Sequence, residues 1–377
     1  MLKNQKGVFS STMKKNQLRL QKTLKALVDE YIQTCEPVSS RILNEKYLQE
    51  VSSATLRLDL MKLEAENKIQ QPYTSAGRIP TIKGFRTYLQ LIEPDHAKVK
   101  FEDMDLLRNL LIRHYKDTPL ALHYIMKLLA KETDQLSFVA EPEVSSGYLQ
   151  NLEVFPIGNQ KYIFVMSLDS GLDKTVVMKI DYDFTESQLK KLVQYLNEEL
   201  IGERIYDIAN RIILEMQEDM YQDNVLVSTF LKQLHKAFIE ISDFYIHYDG
   251  SINFLEQPEF DSKQNILNFM SMIQRQDILI NLMRRSDDGA GVKVLMGEDF
   301  NIPEWSNFSL IYGRYEVFGI PGYLGVIAPI RTAYRHLIPL IRDITVTITE
   351  TTHKGLVVST KEEQIGNTEE KSRYNFR

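Results

Sequence analysis

Apolar residues recur at spacings of three and four along most of the chain, a pattern typical of helices with one buried face. The clearest such pattern begins at Lys14 and ends at Glu36-Pro37, because a proline disfavours helical backbone at the residue before it. Further helices are predicted at 39–47, from 54 onward, and at 81–92, 103–115, 119–132, 185–200, 205–216, 230–241 and 265–275.

Short runs rich in β-branched and aromatic residues predict strands between these helices. The runs cover 136–140, 149–155, 161–168, 175–180, 292–296, 309–318 and 323–328. Thr185 and Gln188 have the spacing of a capping box, which starts the helix at 185–200. From Arg331 the spacing is again helical, but Pro339 and the β-branched run 345–349 also fit a non-helical segment, so both readings stay open.

The order of elements in residues 37–88 is that of a winged helix-turn-helix, a module that binds duplex DNA. Two short helical patterns are followed by a turn, a hairpin around Ser-Ala-Gly, and a third helix capped by Thr81. In the second helix, Ser52 or Ser53 caps the start. Its core-facing stripe is Leu56, Leu60 and Leu63.

The opposite face of this second helix begins with small and hydroxyl residues, which allow close approach to a major groove. The hairpin adds Arg78, which we expect at a loop tip within reach of a phosphate or a minor groove. A packed helical pair without a ligand, and an ordinary solvated Arg78, are the alternatives. The candidate DNA-binding residues are Ser39, Ser40, Ser52, Ser53, Ala54, Thr55, Arg57, Leu58, Lys62, Thr74, Ser75, Gly77 and Arg78.

Charge is distributed unevenly along the 377 residues, which are enough for two or three domains. The net charge of −6 argues against nucleic acid binding for the chain taken whole. Residues 1–90, however, hold 15 Lys and Arg against 8 Asp and Glu, a balance of +7, whereas the remainder holds 30 against 43, a balance of −13. A basic amino-terminal module on an acidic body is usual for a DNA-binding protein with a regulatory domain.

Motifs for catalysis and metal binding are not found in the sequence. It contains no Gly-x-Ser-x-Gly, no His-Glu-x-x-His and no phosphate-binding loop. Cys35 is the single cysteine, so an intramolecular disulfide is impossible and a Cys-based zinc site is disfavoured. No apolar run approaches membrane-spanning length and the start lacks a signal-peptide core. We therefore expect a cytoplasmic protein without enzymatic activity, cofactor or metal.

The second helix and the hairpin carry a specific resemblance. Residues 52–89 read SSATLRLDLMKLEAENKIQQPYTSAGRIPTIKGFRTYL. This resembles the signature of the heat-inducible transcription repressor family HrcA, which typically reads SSATIRN, then an acidic residue, and later QPHTSAGRIPT-x-KG-[YF]-R. Weaker similarity continues to about residue 350, in GLDKTVVMKI, LNEELIGE, FLEQPEF, VLMGED and YLGVIAPIRTAY.

The resemblance implies an α+β chain of three domains. They are an N-terminal winged helix-turn-helix at 14–92, a GAF-like α/β domain at 103–147 and 222–350, and an inserted three-stranded α+β dimerisation domain at 148–221. Residues 93–102 read as a linker, while 1–13 are expected to be disordered and 351–377 to form a flexible polar tail.

The resemblance also implies a function. The family represses chaperone genes by binding a palindromic, inverted-repeat operator on double-stranded DNA as a homodimer, is released on heat stress, and has a chaperonin partner that keeps it active. A ligand-sensing regulator whose GAF-like domain binds a small molecule is the alternative. A body that unfolds at raised temperature and is refolded by chaperonin is a third hypothesis.

One departure from the family bears on base recognition. The family usually has Asn where this chain has Leu58, at the centre of the presumed groove-facing side. Asn can pair with adenine, whereas Leu offers only apolar contact to a thymine methyl. The operator preference therefore differs from the family's, or Leu58 packs internally; both stay open.

Overall fold

A computed structural model describes residues 3–74, 76–92, 104–113, 118–220, 225–242, 245–289 and 291–352. Its helices are α1 (Lys3–Thr34), α2 (Ser40–Lys46), α3 (Ser53–Ala65), α4 (Ile82–Ile92), α5 (Met104–Arg113), α6 (Thr118–Thr133), α7 (Glu186–Leu200), α8 (Ile205–Asp207), α9 (Ile213–Met220), α10 (Val225–Ser242), α11 (Ser251–Leu255), α12 (Lys263–Gln274), α13 (Gln276–Ser286) and α14 (334–352). Its strands are β1 (Ile69–Gln70), β2 (Ile79–Pro80), β3 (Leu136–Ala140), β4 (Leu149–Gly158), β5 (Lys161–Leu168), β6 (Asp173–Lys179), β7 (Ile246–Asp249), β8 (Val292–Met296), β9 (Phe308–Val317) and β10 (Ile320–Pro329). The predicted linker at 93–102 and the tail beyond 352 lie outside the described residues.

Most predicted elements are confirmed, but the sequence patterns did not predict α13 at Gln276–Ser286 or β7 at Ile246–Asp249. The capping box of α7 is present, with the Thr185 hydroxyl accepting from the Gln188 N–H at 3.3 Å. After Arg331 the chain is helical, and α14 continues through Pro339 in its second turn, where the missing N–H removes a single backbone hydrogen bond. At the other end, α1 begins at Lys3 and so includes most of the segment that the sequence predicts to be disordered; extending an existing helix adds one hydrogen bond per residue.

A five-stranded antiparallel sheet with strand order β7-β3-β10-β9-β8 forms the centre of the trunk, which is the chain after α4. Alternating residues of β9 point to opposite faces. Leu310 and Tyr312 pack under α12 and α13, together with Trp305. Ile311 packs on the other face, against the α6 and α14 side chains. The sheet is therefore covered by helices on both faces, as an α+β core requires.

A second, three-stranded sheet with order β4-β5-β6 lies between β3 and β7 in the sequence and has its own apolar cluster. One face of this sheet, including Phe164, packs against α7 and against the helices from α8 to α10. The sequence assigned α10 to the GAF-like domain, but its Phe230 and Leu234 pack in this second cluster. Helical spacing reveals which side of α10 is buried but not which sheet covers it, so this boundary could not be read from the pattern.

Helices α1 to α4 and the hairpin β1-β2 form a head whose apolar residues join those of the trunk. Phe85 of α4 lies against Tyr334 of α14, with ring centroids 6.2 Å apart. The Arg335 guanidinium donates to both carboxylate oxygens of Asp29 in α1, at 3.1 Å each. Arg86 lies 2.8 Å from Asp299 of the trunk. The head is thus fixed to the trunk through α1 and α4, which leaves the outer surfaces of α3 and the hairpin uncovered.

Candidate nucleic-acid interface

Helix α3 begins as the sequence predicts. The Ser52 hydroxyl accepts the Thr55 N–H at 3.2 Å and is the N-cap. The core stripe of α3 is fully buried, at Leu56, Leu60 and Leu63. Burial of this face fixes the rotation of the helix, so the residues that point outward are determined by the leucine spacing.

The outward face of α3 is free of the trunk. Leu58 is 59% exposed and Met61 61% exposed, and Ala54 and Ala65 on the same side are also exposed. These four residues, here called the nonpolar stripe, follow at spacings of four, three and four and occupy a sector of about 60°. The alternative that Leu58 packs internally is wrong. Arg57 and Lys62 are exposed on the two flanks of this stripe, and Thr55 is half-buried on the Lys62 side.

A buried carboxylate ties α3 to α1, and the sequence reasoning missed it. Asp59 is only 1% exposed and lies on the buried side of α3, with Leu56, Leu60 and Leu63. It accepts two hydrogen bonds from Arg19, from Nε at 2.7 Å and Nη2 at 3.0 Å. The Arg19 pKa is raised above its ordinary value by this hydrogen bond to Asp59. An acidic residue three positions after Leu56, on the apolar side of an amphipathic helix, was the available signal.

A second buried carboxylate fixes α2. Glu30 of α1 accepts from Lys46 at 2.6 Å and from the Tyr47 hydroxyl at 2.9 Å, both at the end of α2. Burial alone would raise the pKa of the Glu30 carboxyl, but these two donors outweigh it and lower the pKa. Burial, together with the Glu30 carboxylate, raises the pKa of Tyr47 to about 12. Both helices of the pair are therefore anchored to α1 by charge-assisted hydrogen bonds.

The two serines proposed at the start of α2 have structural roles. Ser39 caps α2, accepting the Ile42 N–H at 3.3 Å. Ser40 is buried, and its Oγ lies 3.3 Å from the Oγ of Ser53 at the start of α3. Because these two helix starts pack on each other, the Ser40 side chain does not point to the outward surface, contrary to the expectation from the sequence.

The hairpin has short strands, and its loop is held by a side chain. Only two residues on each side pair as strands, Ile69 with Pro80 and Gln70 with Ile79. The Gln71 amide donates to the carbonyls of Thr74 and Ala76, at 2.8 and 3.1 Å. The described loop residues Pro72, Tyr73 and Thr74 are exposed to solvent. Tyr73, which is 62% exposed, was not among the residues that the sequence proposed for DNA contact. Ser75 lies outside the described residues.

Arg78 lies where the loop joins β2, not at the loop tip, which corrects the prediction. Its backbone pairs with Val38 in both directions, at 2.8 and 2.9 Å. Its guanidinium is 3.0 Å from the Glu64 carboxylate at the end of α3, and the side chain is 20% exposed. A Cβ on the preceding Gly77 would lie 2.6 Å from the Val38 carbonyl, so this strand approaches the backbone closely. Gly77 and Arg78 therefore join the hairpin to α3 and to the start of α2.

The described residues were also compared with the requirements of a metal site, a ligand pocket and a membrane-spanning helix. They contain no group of His, Cys, Asp and Glu able to hold a metal ion. In the trunk sheet, the ring of Tyr315 occupies the space beside Gly322, and its hydroxyl donates to the Ala140 carbonyl at 2.8 Å. The side chain of Tyr315 therefore fills the space on this side of the β9-β10 hairpin. None of the described helices is both long and apolar enough to span a bilayer.

Comparisons with known proteins agree with the resemblance seen in residues 52–89. Residues 96–338 match the model of the HrcA protein C terminal domain. The chain is 30% identical to the heat-inducible transcription repressor HrcA of Natranaerobius thermophilus over 327 residues, which are 86% of this chain and 94% of that protein. It is 25% identical to the repressor of the same name from Symbiobacterium thermophilum, over 86% of this chain and 96% of that one.

A solved structure shares the fold. It is described as the crystal structure of a hypothetical protein at 2.2 Å resolution, and it is 24% identical with a TM-score of 0.58. The likeness covers 89% of this chain and 98% of that one. Taken with the family model, which matches well over half of the chain, these similarities lead to one conclusion: the chain belongs to the HrcA family of heat-inducible transcription repressors.

Proposed function

We propose that this chain is a sequence-specific DNA-binding repressor of heat-shock genes, with the outward face of α3 as the surface that enters the major groove. The observation that carries the proposal is the exposure of this face, from Ala54 to Lys62, on a basic head attached to an acidic trunk. Exposed hydroxyl and cationic side chains border it, which suits contacts with phosphate. The relatives' names as transcription repressors support the same assignment.

The head acts in this proposal as a winged helix-turn-helix. Helix α2 braces α3, and the hairpin extends beside it with Tyr73 and Thr74 at its outer end. Arg78 supports the hairpin through Glu64. Its contribution to DNA binding is accordingly to hold the hairpin in place, and the loop residues take the contacts first expected of Arg78.

The inserted three-stranded sheet supports the proposal of a homodimer. Its outer face bears a row of apolar side chains across the strands, because Phe155 pairs with Ile163 and Ile163 with Val177. Phe155 and Val177 are about half exposed in the single chain. Such a row is the kind of surface that a partner covers. Two heads would then reach two half-sites spaced by about one helical turn, roughly 34 Å, or a multiple of it.

Release on heating and reactivation by a chaperonin complete the proposal. The head and trunk share one apolar cluster and the Asp29–Arg335 ion pair, so loosening of the trunk would disturb the head. A trunk that is metastable at raised temperature would lose the operator and recover it when a chaperonin refolds the chain. Recovery after heating that needs no chaperonin would contradict this part.

Binding of the purified chain to an inverted-repeat duplex from upstream of a chaperone gene tests the function. We expect two chains to bind each duplex. A plot of the logarithm of the association constant against the logarithm of salt concentration should have a slope of about −0.9 for each phosphate neutralised. Arg57→Ala and Lys62→Ala should each reduce the magnitude of this slope by about 0.9, the contribution of one phosphate contact. The exposed Lys161, the first residue of β5 in the inserted unit, gives the matched control, because Lys161→Ala should leave the slope unchanged. Equal affinity for a scrambled duplex would reject operator recognition.

A further inference from the structure

The nonpolar stripe of α3 has a chemical property that the proposed function does not use. Ala54, Leu58, Met61 and Ala65 have no side chain that donates or accepts a strong hydrogen bond. Together they line the centre of the outward face, and the polar residues Thr55, Arg57 and Lys62 lie only on its flanks. The centre of the presumed recognition helix is therefore unable to read a base edge by hydrogen bonding.

The major groove presents hydrogen-bonding groups on every base pair and a single apolar group, the C5-methyl of thymine. Packing Leu58 or Met61 against an amino group or a carbonyl oxygen would strip water from it without replacing the lost hydrogen bond, which is unfavourable. Packing the same side chains against a methyl group removes apolar surface from water, which is favourable. The stripe thus discriminates by apolar contact.

The charges around the stripe identify DNA as its occupant. Arg57 and Lys62 lie on opposite flanks and are exposed. On the Arg57 side of α3, the Glu64 carboxylate pairs with the Arg78 guanidinium 3.0 Å away, and on the Lys62 side the Glu66 carboxylate pairs with Lys68 at 2.6 Å. Asp59 is buried beneath α3 against Arg19. An apolar strip between two cations fits a duplex, whose methyl groups lie between two rows of phosphates.

We propose that the nonpolar stripe reads pyrimidine C5-methyl groups in the major groove, with Leu58 and Met61 as the specificity-determining residues. This inference rests on the proposed function, since it names what the same face recognises. It assigns thymine-containing steps to the centre of each half-site. It also explains why Leu58 replaces the usual Asn of the family: base recognition at this position changes from hydrogen bonding to apolar contact.

Substitution of deoxyuridine for thymine tests the inference, because it removes only the C5-methyl group and leaves every hydrogen-bonding group in place. The full-length chain would first select its preferred site from a library of random duplexes. Each thymine of that site would then be replaced in turn and the affinity measured by fluorescence anisotropy. We expect at least one position in each half-site where deoxyuridine weakens binding by about fourfold.

Two variants and a control assign the effect to the stripe. Leu58→Ala and Met61→Ala should each bind the thymine and deoxyuridine duplexes equally at the position that the deleted side chain contacts. Leu18 is a comparably exposed apolar residue on α1, away from the stripe, and Leu18→Ala should keep the fourfold discrimination. All three residues are exposed, so their truncation leaves the core of the head intact.

The outcomes separate this inference from the function on which it rests. Equal binding of thymine and deoxyuridine duplexes at every position, with a scrambled duplex still bound more weakly, would overturn methyl readout and leave the repressor function standing. Discrimination that persists in both Leu58→Ala and Met61→Ala would also overturn it. Failure to select any preferred sequence would reject the proposed function itself.

Discussion

Arg19→Ala is expected to loosen α3 more than any other single change in the polar contacts of the head. The substitution leaves the Asp59 carboxylate, which is 1% exposed, without its two hydrogen bonds from Arg19. Removing one partner of a buried ion pair costs about 3–5 kcal/mol, and the lower end applies here because the Arg19 side chain is 27% exposed. We expect a loss of about 3 kcal/mol in the opening free energy of α3, measured by amide hydrogen exchange.

A surface pair in the same head provides the control. Arg41 and Glu45 lie 2.7 Å apart on α2, but both side chains are largely exposed. Arg41→Ala should therefore leave the exchange of α3 unchanged. Replacing both Arg19 and Asp59 by Leu should recover most of the loss, since no unpaired charge then remains buried. Exchange of α3 that is the same in wild type and Arg19→Ala would show that this pair does not hold the helix.

Gly84→Ala is expected to destabilise the head, although alanine favours helix over glycine elsewhere. Gly84 lies in the first turn of α4, and a Cβ there would lie 2.0 Å from the carbonyl oxygen of Lys68. That oxygen also accepts the Thr81 N–H at 3.0 Å, so it belongs to the contact that sets α4 against the start of β1. Because the position of a Cβ is fixed by the backbone and the Lys68 oxygen is itself a backbone atom, no rotamer change relieves the clash. We expect a loss of about 3 kcal/mol or more in the unfolding free energy of the head, and loss of operator binding.

Gln90→Ala is the matched control for this substitution. Gln90 is exposed on the same helix, so the change introduces the same residue without a clash. Alanine should there be neutral or slightly stabilising, as helix propensity dictates. The thermal midpoint of the head and the affinity for the inverted repeat would be compared in the two variants. If Gly84→Ala melts at the wild-type temperature, the close packing of α4 on Lys68 is contradicted.

Local sequence patterns correctly predicted the buried face and the N-cap of α3. The spacing of Leu56, Leu60 and Leu63 determined the buried side of α3, and hence the exposure of Leu58 on the opposite side. Serine before an apolar repeat located the N-cap of α3, because few other residues satisfy a free helix N–H. Capping and amphipathic spacing involve residues only a few positions apart in the sequence, so both can be predicted without knowledge of the tertiary contacts.

The features that sequence reasoning placed wrongly depend on contacts between distant residues. Arg78 was expected at a loop tip, but its pairing with Val38 and with Glu64 holds it where the loop joins β2. Ser40 was expected to face DNA, but the adjacent start of α3 covers it. Hydrophobic spacing also gives no information on which partner covers a helix, as with Phe230 of α10. Each of these requires the three-dimensional packing.

Lysine footprinting tests most directly whether the outward face of α3 lies on DNA. The full-length chain would be acetylated with and without saturating inverted-repeat duplex, and the rate at each lysine measured by mass spectrometry. Lys62 on α3 and Lys161 in the inserted unit are both exposed in the free chain. The account predicts that the duplex protects Lys62 and leaves the rate at Lys161 unchanged. Equal acetylation of Lys62 with and without bound duplex would contradict it.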